Sequence, residues 1–458
     1  MIDQHEIKEP HSIQAFRSDL PEQSQLGDKG DRSEERHTEI KIITHTDELE
    51  ALEQDWNGLA RESDTHIFQT YEWNRIWWQH FGANKKLHIV AVYTENKLAG
   101  IAPLFEDDVH LFGRKVYSCL RFLGSYVSQP EGEPLIGNIS YSDYLDCIIQ
   151  PGYEQLFYRY ILQHFEELKS EYDEIILDEV SEESVMSSIM IPLIEGSNFE
   201  LSYKIEPASS SPVIQLDSTW KAYLNSLNVK DRYNARRYFK RSKKGNAKAF
   251  KIEKIKHPGE LPGVLTDLIQ MHQQQWNSRG FAGTFSEKRM CDFLMEISKS
   301  FYEHGWIEFN MAIPAEAGAK YVAIDAFLTY KNRVYLMHRG MDEDSLYRKQ
   351  GPGNVLLFAR LNEAIHDGVK VFDMLRGSEE FKIRMATKIN QNKKIIVYTG
   401  NKAERLLPAL VNKYMWSIRQ ARIEKIQVMQ VFKGKSFFKA ITEYTQFLHR
   451  RIKHKFYH

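Results

Sequence analysis

The segment 347–368, YRKQGPGNVLLFARLNEAIHDG, decides how the rest of the chain is read. Two glycines flank a proline, cations precede them, and an apolar run of helical spacing follows. Val355, Leu356, Phe358, Ala359 and Ile365 form one broad stripe, and Asp367-Gly368 supplies a stop. Just upstream, NRVYLMHRG (332–340) is β-rich, so the unit reads strand, loop, helix. A helix start exposes unpaired N–H groups and a positive dipole end, and glycines let an anion approach both. Arg348 and Lys349 add charge, and Gln350, Gly351, Gly353 and Asn354 complete the candidate anion cradle. The same residues also suit an ordinary Gly-Pro helix start.

Two familiar phosphate motifs fail here. A Walker loop needs Lys-Ser/Thr after its last glycine, and Gly353 is followed by Asn354. The dinucleotide fingerprint needs a small third residue at 356, which is Leu.

Working outward, the unit recurs. In the first half, KLHIVAVYTENKLAGIAPLFED (86–107) has the form of a hairpin. It is followed by QPGYEQLFYRYILQHFEELKSEYDEIILDEV (150–180). The second half repeats the order at 306–340 and 351–377. In each copy Pro-Gly opens a helix that leads into a short apolar strand ending near an acid. One repeat per half excludes a solenoid. The expectation is an α/β (α+β) chain with two similar domains, 40–205 and 206–400, each a mixed sheet flanked by helices. The first domain is expected to open with a strand at 39–45, followed by helices at 46–61 and 71–82. Further strands are expected near 115–123 and 143–149.

The ends differ from the middle. Residues 1–39 carry ten Asp/Glu against five Lys/Arg and few apolar positions, the composition of a disordered leader. Residues 401–458 carry thirteen Lys/Arg against three Asp/Glu, interleaved with aromatics, and read as two helices. The net charge of −1 hides this asymmetry. The absence of a long apolar run or signal-peptide pattern leads to the expectation of a soluble cytoplasmic protein. The three cysteines show no CxxC spacing, which suits free thiols. The histidines form no HExxH or comparable cluster, so no metal is expected.

Arg348-x-x-Gly351-x-Gly353 resembles the pattern by which GNAT acetyltransferases hold the pyrophosphate of coenzyme A. The chain as a whole resembles the CelD/BcsL-type cellulose-biosynthesis proteins, which carry a BioF2-like GNAT acetyltransferase domain. The resemblance rests on FQTYEWNRIWWQHFG, KLAGIAPLF, MHQQQWNSRG…GTF, GPGNVLLFARLNEAIHDG and FDMLRGSEEFK, and covers most of 65–385. It extends to the FemABX transferases, which use two tandem GNAT-like domains. It implies acetyl-CoA or another acyl-CoA as co-substrate, held in the second domain. The first copy, QPGYEQ, lacks the arginine and the paired glycines, so no acyl-CoA is expected there.

Acyl transfer to an amine needs a base, an oxyanion donor and a positioned acceptor. The resemblance puts the oxyanion donor on the backbone around Met337–Gly340. Asp373, which lies where the family has an acid, and Glu379 are candidate bases at the end of the last apolar strand. His338 is a third, being the side chain that titrates near neutrality. Asp325 is a fourth: an acid inside YVAIDAFL must be paired or line a cavity. On the acceptor side, Trp276 and Arg279 offer an aromatic face and a planar cation that suit a sugar or carboxylate. Lys382 matches a family lysine, and Arg236 and Arg237 lie in a stretch (230–256) with twelve Lys/Arg against two acids. Each of these also has a packing or surface reading.

Three functions remain open. The first is an acyl-CoA-dependent acyltransferase acting on a sugar-linked or amine acceptor, for example an exopolysaccharide precursor. The second is a FemABX-like transferase drawing on aminoacyl-tRNA, favoured by the basic stretches. The third is a non-catalytic partner of polysaccharide machinery, with 401–458 docked on an anionic membrane surface.

Overall fold

A computed structural model describes residues 37–111, 114–125, 142–216, 219–243, 250–278, 283–315, 320–377, 379–399 and helical positions 408, 410, 411, 413, 414 and 417. The leader before residue 37, Arg279 and most of 401–458 lie outside them.

The first half runs β1 (Thr38–Ile43), α1 (Thr46–Ala51), α2 (Glu53–Glu62), α3 (Tyr71–Phe81), β2 (Lys86–Thr94), β3 (Lys97–Leu111) and β4 (Arg114–Phe122). It continues with β5 (Ile148–Ile149), α4 (Glu154–Glu167), β6 (Glu174–Val180), α5 (Val185–Gly196) and β7 (Ser202–Gln215). The second half runs α6 (Trp220–Ser226), α7 (Val229–Arg241), β8 (Phe250–Lys254), α8 (Leu261–Ser278), α9 (Lys288–Glu303), β9 (Ile307–Pro314), β10 (Ala323–Tyr330) and β11 (Arg333–Met341). It ends with α10 (Pro352–His366), β12 (Val371–Asp373), α11 (Glu380–Met385) and β13 (Lys388–Tyr398).

Local chemistry explains several boundaries. The β2–β3 turn places Glu95 and Asn96 at φ 52° and 63°, the two left-handed residues of a tight hairpin. Thr70 caps α3 by accepting from the Trp73 N–H, and Asn228 caps α7 by accepting from the Asp231 N–H. Gly351, at φ 71°, precedes α10, whose first residue is Pro352.

All strands join one mixed sheet in the order β1-β2-β3-β4-β6-β13-β7-β12-β11-β10-β9-β8, with β5 beside β3. Two pairs are parallel, β4 with β6 and β11 with β12, and each is bridged by a helix, α4 or α10. The tandem repeat is therefore real, and each copy carries a parallel strand pair bridged by a helix. The last strand of each copy crosses over: β7 pairs with β12 of the second copy, and β13 pairs with β6 of the first. β7 and β13 pair with each other at the centre. The expected boundary at 205/206 falls inside β7.

One face of the sheet carries α1–α3 of the first half and α8–α9 of the second, packed into a single core around Trp56, Trp73, Phe293 and Phe301. The other face is divided. α4 and α5 cover the first half, and α6, α7, α10 and α11 cover the second. The strand expected over 143–149 is reduced to Ile148–Ile149. Residues 142–146 stand outside the ladder, with the Ser142 carbonyl, Asp143 and Tyr144 bonded to the second half.

Candidate active site

The glycine loop leads into α10 through Gly351 and Pro352. Helix geometry leaves the N–H groups of Gly353 and Asn354 without intrahelical acceptors. A Cβ on Gly351 would stand 2.6 Å from the Tyr238 ring of α7, so that ring lies flat against the loop. Arg237 sits over the same ring, 4.8 Å from its centroid, and Arg241 donates to the Gln350 carbonyl. Arg348 is more than half exposed and paired with Glu343 at 2.6 Å. Cationic groups beside the helix start thus come from α7 as well as from the loop. In the first copy, the Gly152 N–H donates to Glu154 at 2.9 Å, so a carboxylate of the chain itself sits at the start of α4.

β11 supplies the strand beside the loop. It pairs with β12 only through Arg333, Val334 and Tyr335, so Leu336–Met341 continue without β12, and a fork opens there. A bulge sets the phase: Phe327 faces Leu336, whereas Ala326 faces His338. Met337 is the extra residue, and His338 returns to the face that carries Tyr335. Arg339 then points to the α10 side. There it grips Asp325 with two bonds of 2.7 and 2.6 Å and donates to the Gly353 carbonyl at 2.7 Å. Asp325 is fully buried and committed to this pair, which anchors the start of α10.

His338 lies among Phe285 and His272, with ring centroids at 5.0 and 6.0 Å, and burial lowers its pKa to about 3. It is a neutral imidazole at physiological pH. Its Nε2 is buried and has no hydrogen-bond partner among the described residues. Trp276, half-buried at the end of α8, donates its indole N–H to His272 at 2.9 Å.

Asp373 ends β12 opposite Tyr335 in register and is fully buried. It accepts from the Tyr144 hydroxyl at 2.7 Å and from the Leu375 N–H at 2.7 Å. Burial raises its pKa to about 7, against the pull of those two bonds. Tyr144 comes from the first half and stacks on His66 at 4.3 Å, and His66 Nδ1 meets the Tyr335 hydroxyl at 3.0 Å. Burial, helped by Arg333 and Lys331, keeps His66 neutral by lowering its pKa. Next to this group, Arg376 bonds Asp143 at 2.7 Å and the Ser142 carbonyl, with Glu179 at 3.6 Å. Lys382 is buried, donates to the Arg376 carbonyl at 2.9 Å, and lies 3.3 Å from Glu379, which is exposed.

Backbone strain gathers at the same place. Among the described residues, apart from Asn84 and the turn residues Glu95, Asn96 and Lys331, the non-glycine residues with positive φ are Tyr144, Glu179 and Leu375. All three border the Asp373–Arg376 region, and strain of this kind persists where surrounding contacts over-determine it.

Of the residues singled out in the sequence, Asp373 and His338 share one face of the fork, and Gly351, Gly353 and Asn354 stand at the helix start beside it. Asp325 lies on the opposite face. Arg236 and Arg237 are exposed on α7. Tyr144, His66, Arg339 and Arg376 escaped the sequence reading. Asp325 alone carried a signal, because a buried acid announces a hidden cation. Among the described residues no group of three or more His, Cys, Asp or Glu is placed to hold a metal ion. No helix among them is long and apolar enough to cross a membrane.

Residues 230–383 match the family model of the acetyltransferase (GNAT) domain, so the chain carries a GNAT-type acyltransferase domain. No curated protein matches the chain in sequence. Among solved structures it is similar to FemX, at 11% identity and a TM-score of 0.52, over 78% of this chain and 96% of FemX. It also aligns with L-PGS from Bacillus licheniformis, at 10% identity and a TM-score of 0.45, over 80% of this chain and 96% of that one. A tandem GNAT protein from the clavulanic acid biosynthesis pathway aligns at 9% identity and a TM-score of 0.40, over 80% and 100% of the two chains. The likeness to FemX is one of fold.

Proposed function

We propose that the chain is an acyl-CoA-dependent acyltransferase, with acetyl-CoA as donor, acting on an amine or hydroxyl of a sugar-linked precursor of the cell envelope or an exopolysaccharide. The observation that carries this reading is Asp373: a buried carboxyl with a pKa of about 7, at a strand fork beside an anion-facing helix start. A general base works best when its pKa lies near the working pH. The N–H groups of Gly353 and Asn354 would hold the donor's pyrophosphate, with Arg237 and Arg241 of α7 adding charge. The donor supplies an activated thioester.

In the chemical step the acceptor nitrogen or oxygen forms a bond to the acyl carbon while the carbon–sulfur bond breaks. Asp373 takes the acceptor's proton through the Tyr144 hydroxyl, the departing thiolate takes a proton from water, and Asp373 returns its own to the resulting hydroxide. Backbone N–H groups of β11 around Met337–Gly340, where the strand has parted from β12 while keeping β10, would face the developing oxyanion. His338, being neutral, serves as a hydrogen-bonding wall of the fork. Asp325 and Arg339 act as positioning residues.

Calorimetric titration of acetyl-CoA tests the reading. Wild type should bind with micromolar affinity. Gly351→Ala, which forces a Cβ into Tyr238, should weaken binding at least tenfold. Absence of binding to wild type would leave the loop a helix start only. One observation favours a second donor, aminoacyl-tRNA: Lys230, Arg236, Arg237 and Lys240 form an exposed basic face on α7. Salt-sensitive binding of tRNA, with none of acetyl-CoA, would select it.

A further inference from the structure

The polar region around Asp373 does not end at β12. On the same face of the sheet it continues across β7 and β13, the two strands that the halves exchange. Val213 of β7 faces Asp373, and two residues earlier Ser211 faces Asn390 of β13. Ser211 is fully buried and adjoins the Tyr144 hydroxyl. Asn392, two residues beyond Asn390, donates through Nδ2 to Glu179 at 3.0 Å, which fixes the direction of its amide. Asn390 and Asn392 are 3% and 1% exposed, and each keeps a buried Oδ1 without a hydrogen-bond partner. Buried polar atoms are rarely left unpaired, and each one costs stability. Tyr144, Glu179 and Leu375 add their left-handed backbones to the same seam.

The two unpaired asparagine oxygens are hydrogen-bond acceptors, the unpaired Ser211 hydroxyl can accept as well as donate, and the neighbouring Asp143 and Glu179 are acceptors. The cations beside them are already engaged, Arg376 with Asp143 and the Ser142 carbonyl, and Lys382 with the Arg376 carbonyl and Glu379. A ligand that suits this surface must donate many hydrogen bonds and carry no negative charge. Two strand spacings, on the order of 10 Å, separate β12 from β13. A mono- or disaccharide can span that distance with one group at Tyr144 and its hydroxyls at the asparagines.

We infer that the seam between the exchanged strands is the acceptor-binding site and that it takes an amino sugar, held by the Asn390 and Asn392 carbonyls with its amine directed to Tyr144 and Asp373. This rests on the transferase reading for the chemistry, though not for the binding.

The test uses the full chain, with glucosamine, galactosamine, mannosamine and acetyl-CoA titrated separately by calorimetry into wild type, Asn390→Leu and Asn392→Leu. At least one amino sugar should bind wild type, and both variants should bind it at least tenfold more weakly. Acetyl-CoA affinity should be unchanged. Asn390→Leu should melt at or above the wild-type temperature, because it removes an unpaired buried acceptor. No binding of any amino sugar to wild type would overturn the site. Unchanged sugar affinity in a folded Asn390→Leu would also overturn it, and a lower melting temperature in that variant would mark the asparagines as structural. Sugar binding without acetyl-CoA binding would overturn the donor assignment and leave the site standing. The reverse result would do the opposite.

Discussion

In the proposed reaction Asp373 is the base, and its burial has consequences in two kinds of measurement. A base must be unprotonated, so the rate of acyl transfer should climb as pH passes through about 7 and level off above it. Asp373→Asn should lower the rate about 100-fold or more and abolish that limb. The Tyr144 hydroxyl holds the Asp373 pKa down, so Tyr144→Phe should move the limb to higher pH. A limb that moves to lower pH, or stays fixed, would remove Tyr144 from the relay. Folding raises this carboxyl from the ordinary range, so between pH 4 and 7 the folded chain holds a proton that the unfolded chain has lost. Stability should fall as pH rises across that window, and Asp373→Asn should flatten this contribution to the urea midpoint. Asp373 was legible because an acid ending an apolar strand is conspicuous. Tyr144 was not. Its hydroxyl reaches a residue more than two hundred positions away, and nothing local marks a tyrosine for that contact.

At the scale of the element, β11 and α10 form one unit through Asp325, Arg339 and the Gly353 carbonyl. Removing one member of a buried ion pair strands the other charge, which costs about 3–5 kcal/mol. Asp325→Ala should therefore lower stability by that amount. It should also weaken acetyl-CoA binding, because Arg339 then no longer fixes the start of the helix. Chemical denaturation with a matched binding titration measures both, and a fall in stability alone would confine the pair to packing. The helix, its Gly-Pro start and the flanking strands were all readable from periodicity and turn chemistry. The Met337 bulge was not, since alternation in NRVYLMHRG gives no sign of a skipped residue. That single residue moves His338 to the Asp373 face and Arg339 to the α10 face. Arg348 illustrates the same limit: the motif supplies the arginine, while its partner Glu343 depends on a loop path that local sequence does not specify.

Across the whole molecule, the exchange of β7 and β13 makes each half depend on the other. The repeat was visible in the sequence, but the exchange was not. Both strands carry ordinary β-forming patterns, and their partners are chosen by sheet completion over long distances. Without β13, β6 of the first half and β7 would each lose a neighbour, although both precede it by some two hundred residues. The core under α1–α3, α8 and α9 also mixes residues of both halves, Trp73 with Phe293 and Phe301 among them. Two domains joined by a tether would unfold in two steps, whereas this arrangement calls for one. In urea, exchange of the β2 and β3 amides of the first half should therefore share its midpoint with exchange of the β10 and β11 amides in the second. A chain ending at Thr387 should lose the cooperative transition in both halves. Two separated midpoints in the full chain, or an unchanged first-half midpoint after the truncation, would show that the exchanged strands do not couple the halves. In that case a seam site built on β7 and β13 would lack the rigid floor that acceptor binding needs.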